Sequence, residues 1–124
     1  MRFLTLVFFP SRYQRRKFDA ALNIFQKLLK GLQGPAYSKF EHLVAVTHHN
    51  IGIIYSCQGN FGDALESFCN AVEIRSQCLP ANHPDTAVSL VRQGMAYLAL
   101  ESFEEAVESF ETALGMVEEV PGQQ

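Results

Sequence analysis

One stretch of this sequence is written twice, and the second copy follows the first at a constant distance of 42 residues. The two copies occupy residues 47–116, with Gly94 of the second copy corresponding to Gly52 of the first. A fixed period of this length is typical of chains built from stacked units that pack on their neighbours. The other identical pairs in register are Tyr55 with Tyr97, Phe61 with Phe103, Ala64 with Ala106, Glu66 with Glu108, Ser67 with Ser109, Phe68 with Phe110 and Ala71 with Ala113.

Each copy has the spacing of two helices joined by a short turn. The leading segment of the first copy places five residues three or four apart, on one helical face: Val44, His48, Ile51, Gly52 and Tyr55. The trailing segment has the pattern of an amphipathic helix: Phe61, Ala64, Leu65, Phe68, Ala71 and Val72. Between them, Gly59 can form a left-handed C-cap and Asn60 can cap the next helix. The sequence therefore predicts helical hairpins.

This pattern resembles the tetratricopeptide repeat. The matching residues are Gly52, Tyr55, Ala64, Phe68 and Ala71, and again Gly94, Tyr97, Ala106, Phe110 and Ala113. The period, the His83-Pro84-Asp85 run and the Glu104-Glu105-Ala106 run are more specifically similar to the kinesin light chain type. The resemblance implies an all-α fold, a right-handed superhelical array of antiparallel helical hairpins with about two and a half repeats.

The boundaries of a single domain over residues 1–124 follow from this register. Residues 14–33 repeat the trailing-helix pattern and should form the second helix of a first repeat. Repeat two should occupy residues 39–79 and repeat three residues 83–120. The expected helix starts are Ser38 as an N-cap, Asn82 or His83 as a cap before Pro84, and a capping box from Ser102 to Glu105.

Residues 1–13 depart most from the pattern. Pro10 falls where the repeats place a glycine, and proline inside a helix costs about 3 kcal/mol. We expect an irregular or truncated first helix, either a buried helical fragment or a strand-like cap; a signal peptide and a mitochondrial presequence are less favoured alternatives. With no polar capping helix after Val120, the chain is expected to be a fragment of a longer array or to cover its ends by association.

Composition excludes several classes of partner. The net charge of −3 and the lack of a long basic stripe along the repeats argue against nucleic acid. There is no run of eighteen apolar residues, so no membrane-spanning helix is expected. Cys57, Cys69 and Cys78 have no C-x-x-C spacing and suggest reduced thiols in a cytoplasmic protein.

No catalytic constellation stands out in the sequence. His48 and His49 are adjacent, so a helix directs them about 100° apart. His42 and His49 share a face, but no cysteine or carboxylate completes a zinc set. No glycine-rich phosphate loop and no nucleophile–histidine–acid arrangement is recognisable. We therefore predict a non-enzymatic protein without a metal or cofactor.

The surface to which the resemblance assigns function is a concave groove lined by the leading helices. The candidate groove residues are Val46, His49, Asn50, Ile53 and Ser56 in repeat two, and Val88, Val91, Arg92 and Met95 in repeat three. Asn50 matches the groove asparagine of kinesin-light-chain-like repeats. Such an amide resembles a clamp on a peptide backbone, because it offers a donor and an acceptor together.

The expected function is capture of an extended peptide or a helix of a partner protein, in an adaptor or scaffold role. Arg92 also resembles one cation of the carboxylate clamp in chaperone-binding repeats, although Val88 stands where that clamp has a lysine. A co-chaperone role is thus one alternative. The other is a structural or regulatory fragment of a longer repeat protein, whose groove serves only for packing.

Charge is distributed unevenly and suggests weak self-association through the ends of the array. Residues 1–43 carry eight Lys or Arg and two acids, whereas residues 44–124 carry two Arg and eleven acids. Repeat arrays expose an apolar face at each end, and opposite charges favour a head-to-tail contact. The sequence places this contact between residues 1–13 and the helix from Phe103 to Val120.

Overall fold

Between residues 11 and 118, the chain forms five α-helices and one 3₁₀ helix connected by short turns. The computed structural model describes residues 11–118, and no strand occurs among them. The elements are α1 Arg12–Gly31, the 3₁₀ helix Pro35–Phe40, α2 Glu41–Cys57, α3 Phe61–Cys78, α4 Pro84–Ala99 and α5 Phe103–Glu118. The predicted all-α array of helical hairpins is confirmed by this element order and by the packing of each helix on its neighbours.

Two complete hairpins form the centre of the array. α2 packs against α3, α4 packs against α5, and α3 joins the two hairpins by packing against α4. α1 precedes them and packs against α2. Two hydrogen bonds connect α1 to α2 and its C-cap: Gln26 Nε2 donates to Tyr55 Oη at 3.3 Å, and Gln58 Nε2 donates to Asp19 Oδ1 at 3.2 Å.

A capping box fixes the start of α1. The backbone N–H of Gln14 donates to Ser11 Oγ at 3.2 Å, and the backbone N–H of Ser11 donates to Gln14 Oε1 at 2.9 Å. Two unpaired donors of the first turn are thereby satisfied. The helix begins at Arg12, two residues before the predicted trailing helix, so Arg12 and Tyr13 are helical rather than irregular. The rest of the predicted irregular segment, residues 1–10, lies outside the described residues.

The prediction that Ser38 caps the leading helix of repeat two is wrong. Ser38 lies inside the 3₁₀ helix, and α2 begins at Glu41 after Phe40, without a side-chain cap. The cause is Pro35 at the first position of the 3₁₀ helix. Its fixed φ suits the first helical position, so a helical turn starts three residues before Ser38.

The turn within each hairpin needs a left-handed residue. Gly59 adopts φ of 80° between α2 and α3, as predicted, and Glu101 adopts φ of 61° at the corresponding position between α4 and α5. Asn60 occupies the N-cap of α3, but its side chain makes no capping hydrogen bond. Between hairpins, Pro84 is the first helical residue, as predicted. Of the two predicted caps, Asn82 and His83, it is His83 that caps α4, by accepting from the Asp85 N–H at 3.0 Å.

Small residues form most of the core, because the helices approach closely. Phe68 is 2% exposed and packs with Ala64 and Ala96. Phe110, its counterpart in the next repeat, is only half-buried. The reason is positional: α4 covers the face of α2 and α3 around Phe68, whereas no described helix covers the same face of α4 and α5.

Candidate functional site

The structure divides the predicted groove residues into two groups by exposure. The leading helices α2 and α4 carry all of them. Those exposed to solvent are Val46, Val88, Val91, Arg92 and Met95. Those half-buried are His49, Asn50, Ile53 and Ser56. Repeat two thus presents a partly covered version of the surface that repeat three leaves open.

His49 lies at the junction of α2, α3 and α4. Its ring meets the ring of Phe68 edge-on, with 5.5 Å between centroids and 64° between planes. Its Nδ1 lies 3.4 Å from Ser89 Oγ of α4. Burial, and then the nearby charges of Arg75 and Arg92, lower the pKa of His49 to about 4. The imidazole is therefore neutral at physiological pH and contributes to contact between repeats.

Arg75 is a residue of this junction that the sequence analysis missed. From the last turn of α3, its guanidinium Nη1 donates to Ser89 Oγ at 2.7 Å and to the backbone oxygen of Asp85 at 3.1 Å. These bonds hold the first half of α4 against α3. The available signal was that Arg75 is one of only two cations after residue 43.

α4 and α5 enclose an open apolar hollow of about 680 Å³. It contains four of the predicted groove residues together with side chains of α5. Its lining is Pro84, Ala87, Val88, Val91, Arg92, Met95, Phe110, Ala113, Leu114 and Val117. The sequence predicted the α4 wall but not the α5 wall, because the resemblance lined the groove with the leading helices alone.

Polar groups in the groove are few. Arg92 is exposed and lies close enough to His49 to lower the pKa of that imidazole. Asn50, at the corresponding position of α2, is half-buried, and its amide has no hydrogen-bond partner among residues 11–118. An amide and a guanidinium that have no hydrogen-bond partner in the described part of the chain, set among apolar side chains, suit the backbone and acidic groups of a polypeptide.

The family model of the tetratricopeptide repeat matches residues 43–119. The chain belongs to the tetratricopeptide repeat family. The matched region runs from the first turn of α2 to the end of α5 and so covers the two hairpins in which the 42-residue period is visible. A search of curated proteins found no match.

Tetratricopeptide repeat proteins are generally non-enzymatic modules for protein–protein interaction. In the part of the chain that the structure describes, no three His, Cys, Asp or Glu side chains are grouped to hold a metal ion. The helices between residues 11 and 118 include none long and apolar enough to cross a membrane. A hydrogen bond to Glu41 is the main cause that raises the pKa of the Cys78 thiol, which opposes thiolate formation.

Proposed function

We propose that this tetratricopeptide repeat chain is an adaptor or scaffold that binds an extended peptide or a helix of a partner in the groove of α2 and α4. The observation that carries the proposal is the exposed apolar wall of α4 around Arg92. Val88 and Met95 are 49% and 50% exposed, and both line the 680 Å³ hollow. Apolar patches of this kind on a rigid scaffold mark contact sites.

The bound segment should combine apolar side chains with an acidic group. Val88, Val91 and Met95 provide apolar contact area that loses its water when a ligand binds, and Arg92 provides a charged donor beside them. Asn50 would bind the ligand backbone through its free amide. A co-chaperone clamp is less well supported, because Val88 supplies no cation next to Arg92.

We also propose the finer assignments that accompany this function. The kinesin-light-chain-like subtype is supported by the 42-residue period and the His83-Pro84-Asp85 turn, in which His83 caps α4. A cytoplasmic location is supported by Cys57, Cys69 and Cys78, none of which forms a disulfide. A role without catalysis is supported by the family's general behaviour.

The proposal is tested by selecting peptides from a random library on the whole chain. The selected peptides are then titrated to measure their affinity for the groove. We expect Asn50→Ala and Arg92→Ala each to weaken binding by about 2–10-fold, the range of one hydrogen bond. The Arg92 effect should be largest for acidic peptides and should shrink as salt rises. Asn23→Ala and Arg16→Ala on exposed positions of α1 are matched controls that should leave binding unchanged.

Two outcomes would contradict the proposal. Failure to select any peptide above background would favour the alternative of a fragment whose groove packs against further repeats. Equal losses in the α1 controls and the groove variants would show that binding follows overall charge. The melting temperature of each variant should stay at the wild-type value, so that a binding loss reports the groove alone.

A further inference from the structure

The hollow between α4 and α5 has an occupied counterpart in the same molecule. The corresponding face of α2 and α3, 42 residues earlier, is covered by α4. There, His49 and Arg75 contact Ser89 of α4. The hollow is therefore the same helix-binding surface of the repeat, left open among residues 11–118.

The open copy of this surface is more apolar than the covered copy. Val91 replaces His49, and Val117 replaces Arg75. The hollow thus has neither of the two polar groups that hold a serine of α4 in the covered copy. Its occupant should present larger apolar side chains, because apart from Arg92 the lining of the hollow is apolar and a buried hydroxyl away from Arg92 would lack a partner.

α1 provides such side chains on its solvent-facing strip. Ile24 and Leu28 are 63% and 44% exposed and lie one turn apart on the same helical face. The two complete hairpins have buried serine and alanine at the matching positions: Ser67 and Ala71 in α3, Ser109 and Ala113 in α5. Small residues there permit close helix packing. The larger side chains of Ile24 and Leu28 do not permit such close packing. This strip of α1 therefore suits a contact other than the one that Ser67 and Ala71 make within a hairpin.

The charges beside the two surfaces are complementary. α1 carries six Lys or Arg and one acid, whereas α5 carries five Glu and no Lys or Arg. Lys17 and Lys27 lie on the same face as Ile24, and Glu111 and Glu118 lie on the same face as Leu114.

The apolar pair of α1 is also short enough to fit within the hollow. Ile24 and Leu28 are separated by about 6 Å along the helix axis, and the hollow extends about 10 Å along α5 from Phe110 to Val117.

We propose that the chain self-associates head to tail, with α1 of one copy seated in the α4–α5 hollow of the next. Ile24 and Leu28 fill the hollow, and Lys17 and Lys27 meet the glutamates at its edge. The contact joins two different surfaces, so a pair of copies retains one free α1 and one free hollow. Repetition of the contact gives rings or open filaments rather than a two-fold dimer.

Sedimentation of the whole chain between about 1 and 100 μM provides the first test, over the range in which weak contacts are populated. At about 50 mM salt, the average mass should rise with concentration above the 13.9 kDa monomer. At about 500 mM salt, the association should weaken by roughly tenfold or more, because the ionic part is screened. A monomer at 100 μM in both salts would overturn the proposal.

Two substitutions at exposed positions test the two surfaces of the contact one at a time. Ile24→Glu removes the α1 strip and Leu114→Glu removes the hollow, so each variant alone should remain monomeric. Mixed together, they should form a 1:1 complex that grows no larger, because one supplies an intact α1 and the other an intact hollow. Asn23→Glu and Thr112→Glu add the same charge outside the two surfaces and should associate like the wild type.

The mixture distinguishes this contact from other associations. Association that persists in either single variant, or a mixture that stays monomeric, would overturn the pairing of α1 with the hollow. Neither readout uses a peptide ligand. Failure of the groove proposal and failure of this one are therefore distinguishable, although Val88, Val91, Arg92 and Met95 line both sites.

Discussion

The ring of Phe68 lies so close to the backbone of Gly52 that a Cβ at Gly52 would stand 2.6 Å from Phe68 Cε1. The second hairpin repeats the contact, since a Cβ at Gly94 would stand 2.7 Å from Phe110 Cε1. In each hairpin, the aromatic side chain of the trailing helix is pressed against a glycine of the leading helix. This contact explains why glycine and phenylalanine are preserved together in both copies.

Replacing Gly52 by alanine should destabilise the protein despite the better helix propensity of alanine. Alanine gains about 1 kcal/mol in a helix interior, whereas overpacking of a filled core costs about 1–3 kcal/mol. Phe68 is buried and has little room to move, so we expect a net loss of about 1–2 kcal/mol. Urea unfolding followed by circular dichroism measures the change.

Gly115→Ala is the matched control for this substitution. Gly115 also lies within a helix, α5, but nothing stands within 4 Å of a Cβ placed there. The propensity gain should then appear without a steric cost, as a stabilisation of up to about 1 kcal/mol. Equal effects of the two substitutions would show that the close contact between Gly52 and Phe68 does not affect the free energy of unfolding.

Truncation of the two aromatic side chains should have unequal effects. Phe68→Ala should cost about 3–5 kcal/mol, because it opens a cavity in a closed core. Phe110→Ala should cost less, about 1–3 kcal/mol, since Phe110 already lines the open hollow. Equilibrium unfolding of both variants measures the difference. A loss below about 1 kcal/mol for Phe68→Ala with cooperative unfolding would contradict the assigned core.

The sequence predicted features that depend on neighbours along the chain. The left-handed turn at Gly59 and a cap before Pro84, at Asn82 or His83, follow from local chemistry. The structure has both, with His83 as the cap. The Ser11–Gln14 capping box was overlooked, although its Ser-x-x-Gln spacing is legible in the sequence. Ser38 was misassigned because Pro35 starts a 3₁₀ turn, and the competition between two possible helix starts depends on tertiary packing.

The sequence pattern does not predict features that depend on the packing of the next repeat. Phe68 and Phe110 have the same local spacing, yet only Phe68 is fully buried, because burial depends on a helix that follows. His49 has the spacing of a groove residue, but α4 partly covers it. Its partner Arg75 comes from α3, and periodicity alone does not show which side chains meet across two hairpins.

Glu101 should be replaceable by glycine with a gain in stability. It adopts φ of 61°, the left-handed region in which a non-glycine residue costs roughly 1–2 kcal/mol. Glycine relieves this strain but adds freedom to the unfolded chain, so the expected net gain is about 0.5–1 kcal/mol. Thermal unfolding should show a rise of about 2–4 °C in Tm.

The reciprocal substitution in the first hairpin provides the control. Gly59 occupies the equivalent turn position with φ of 80°, so Gly59→Glu introduces the strain that Glu101→Gly removes. We expect this variant to lose about 1–2 kcal/mol. If both variants shift Tm in the same direction, side-chain contacts rather than backbone strain govern these turns.

Acid should destabilise the junction between the repeats through His49. Burial and the charges of Arg75 and Arg92 lower its pKa from 6.5 to about 4, while Asp85 acts in the opposite direction. The unfolded chain therefore binds a proton at higher pH than the folded chain does. The stability contributed by neutral His49 is fully present above pH 6.5 and is lost as the pH falls from 6.5 towards 4. His48 has a pKa lowered mainly by burial and adds a loss of the same sign.

Melting temperatures of the wild type and His49→Val between pH 8 and pH 4 isolate the contribution of His49. Valine is the residue that the next repeat has at this position, Val91, and it does not titrate. We expect a constant difference in Tm between the two proteins above pH 7. Below pH 6.5 the wild type should lose stability more steeply than His49→Val, by less than about 1.4 kcal/mol per pH unit, because solvent reaches part of the ring. Parallel pH profiles would show that the His49 ring takes up its proton equally in the folded and unfolded chains.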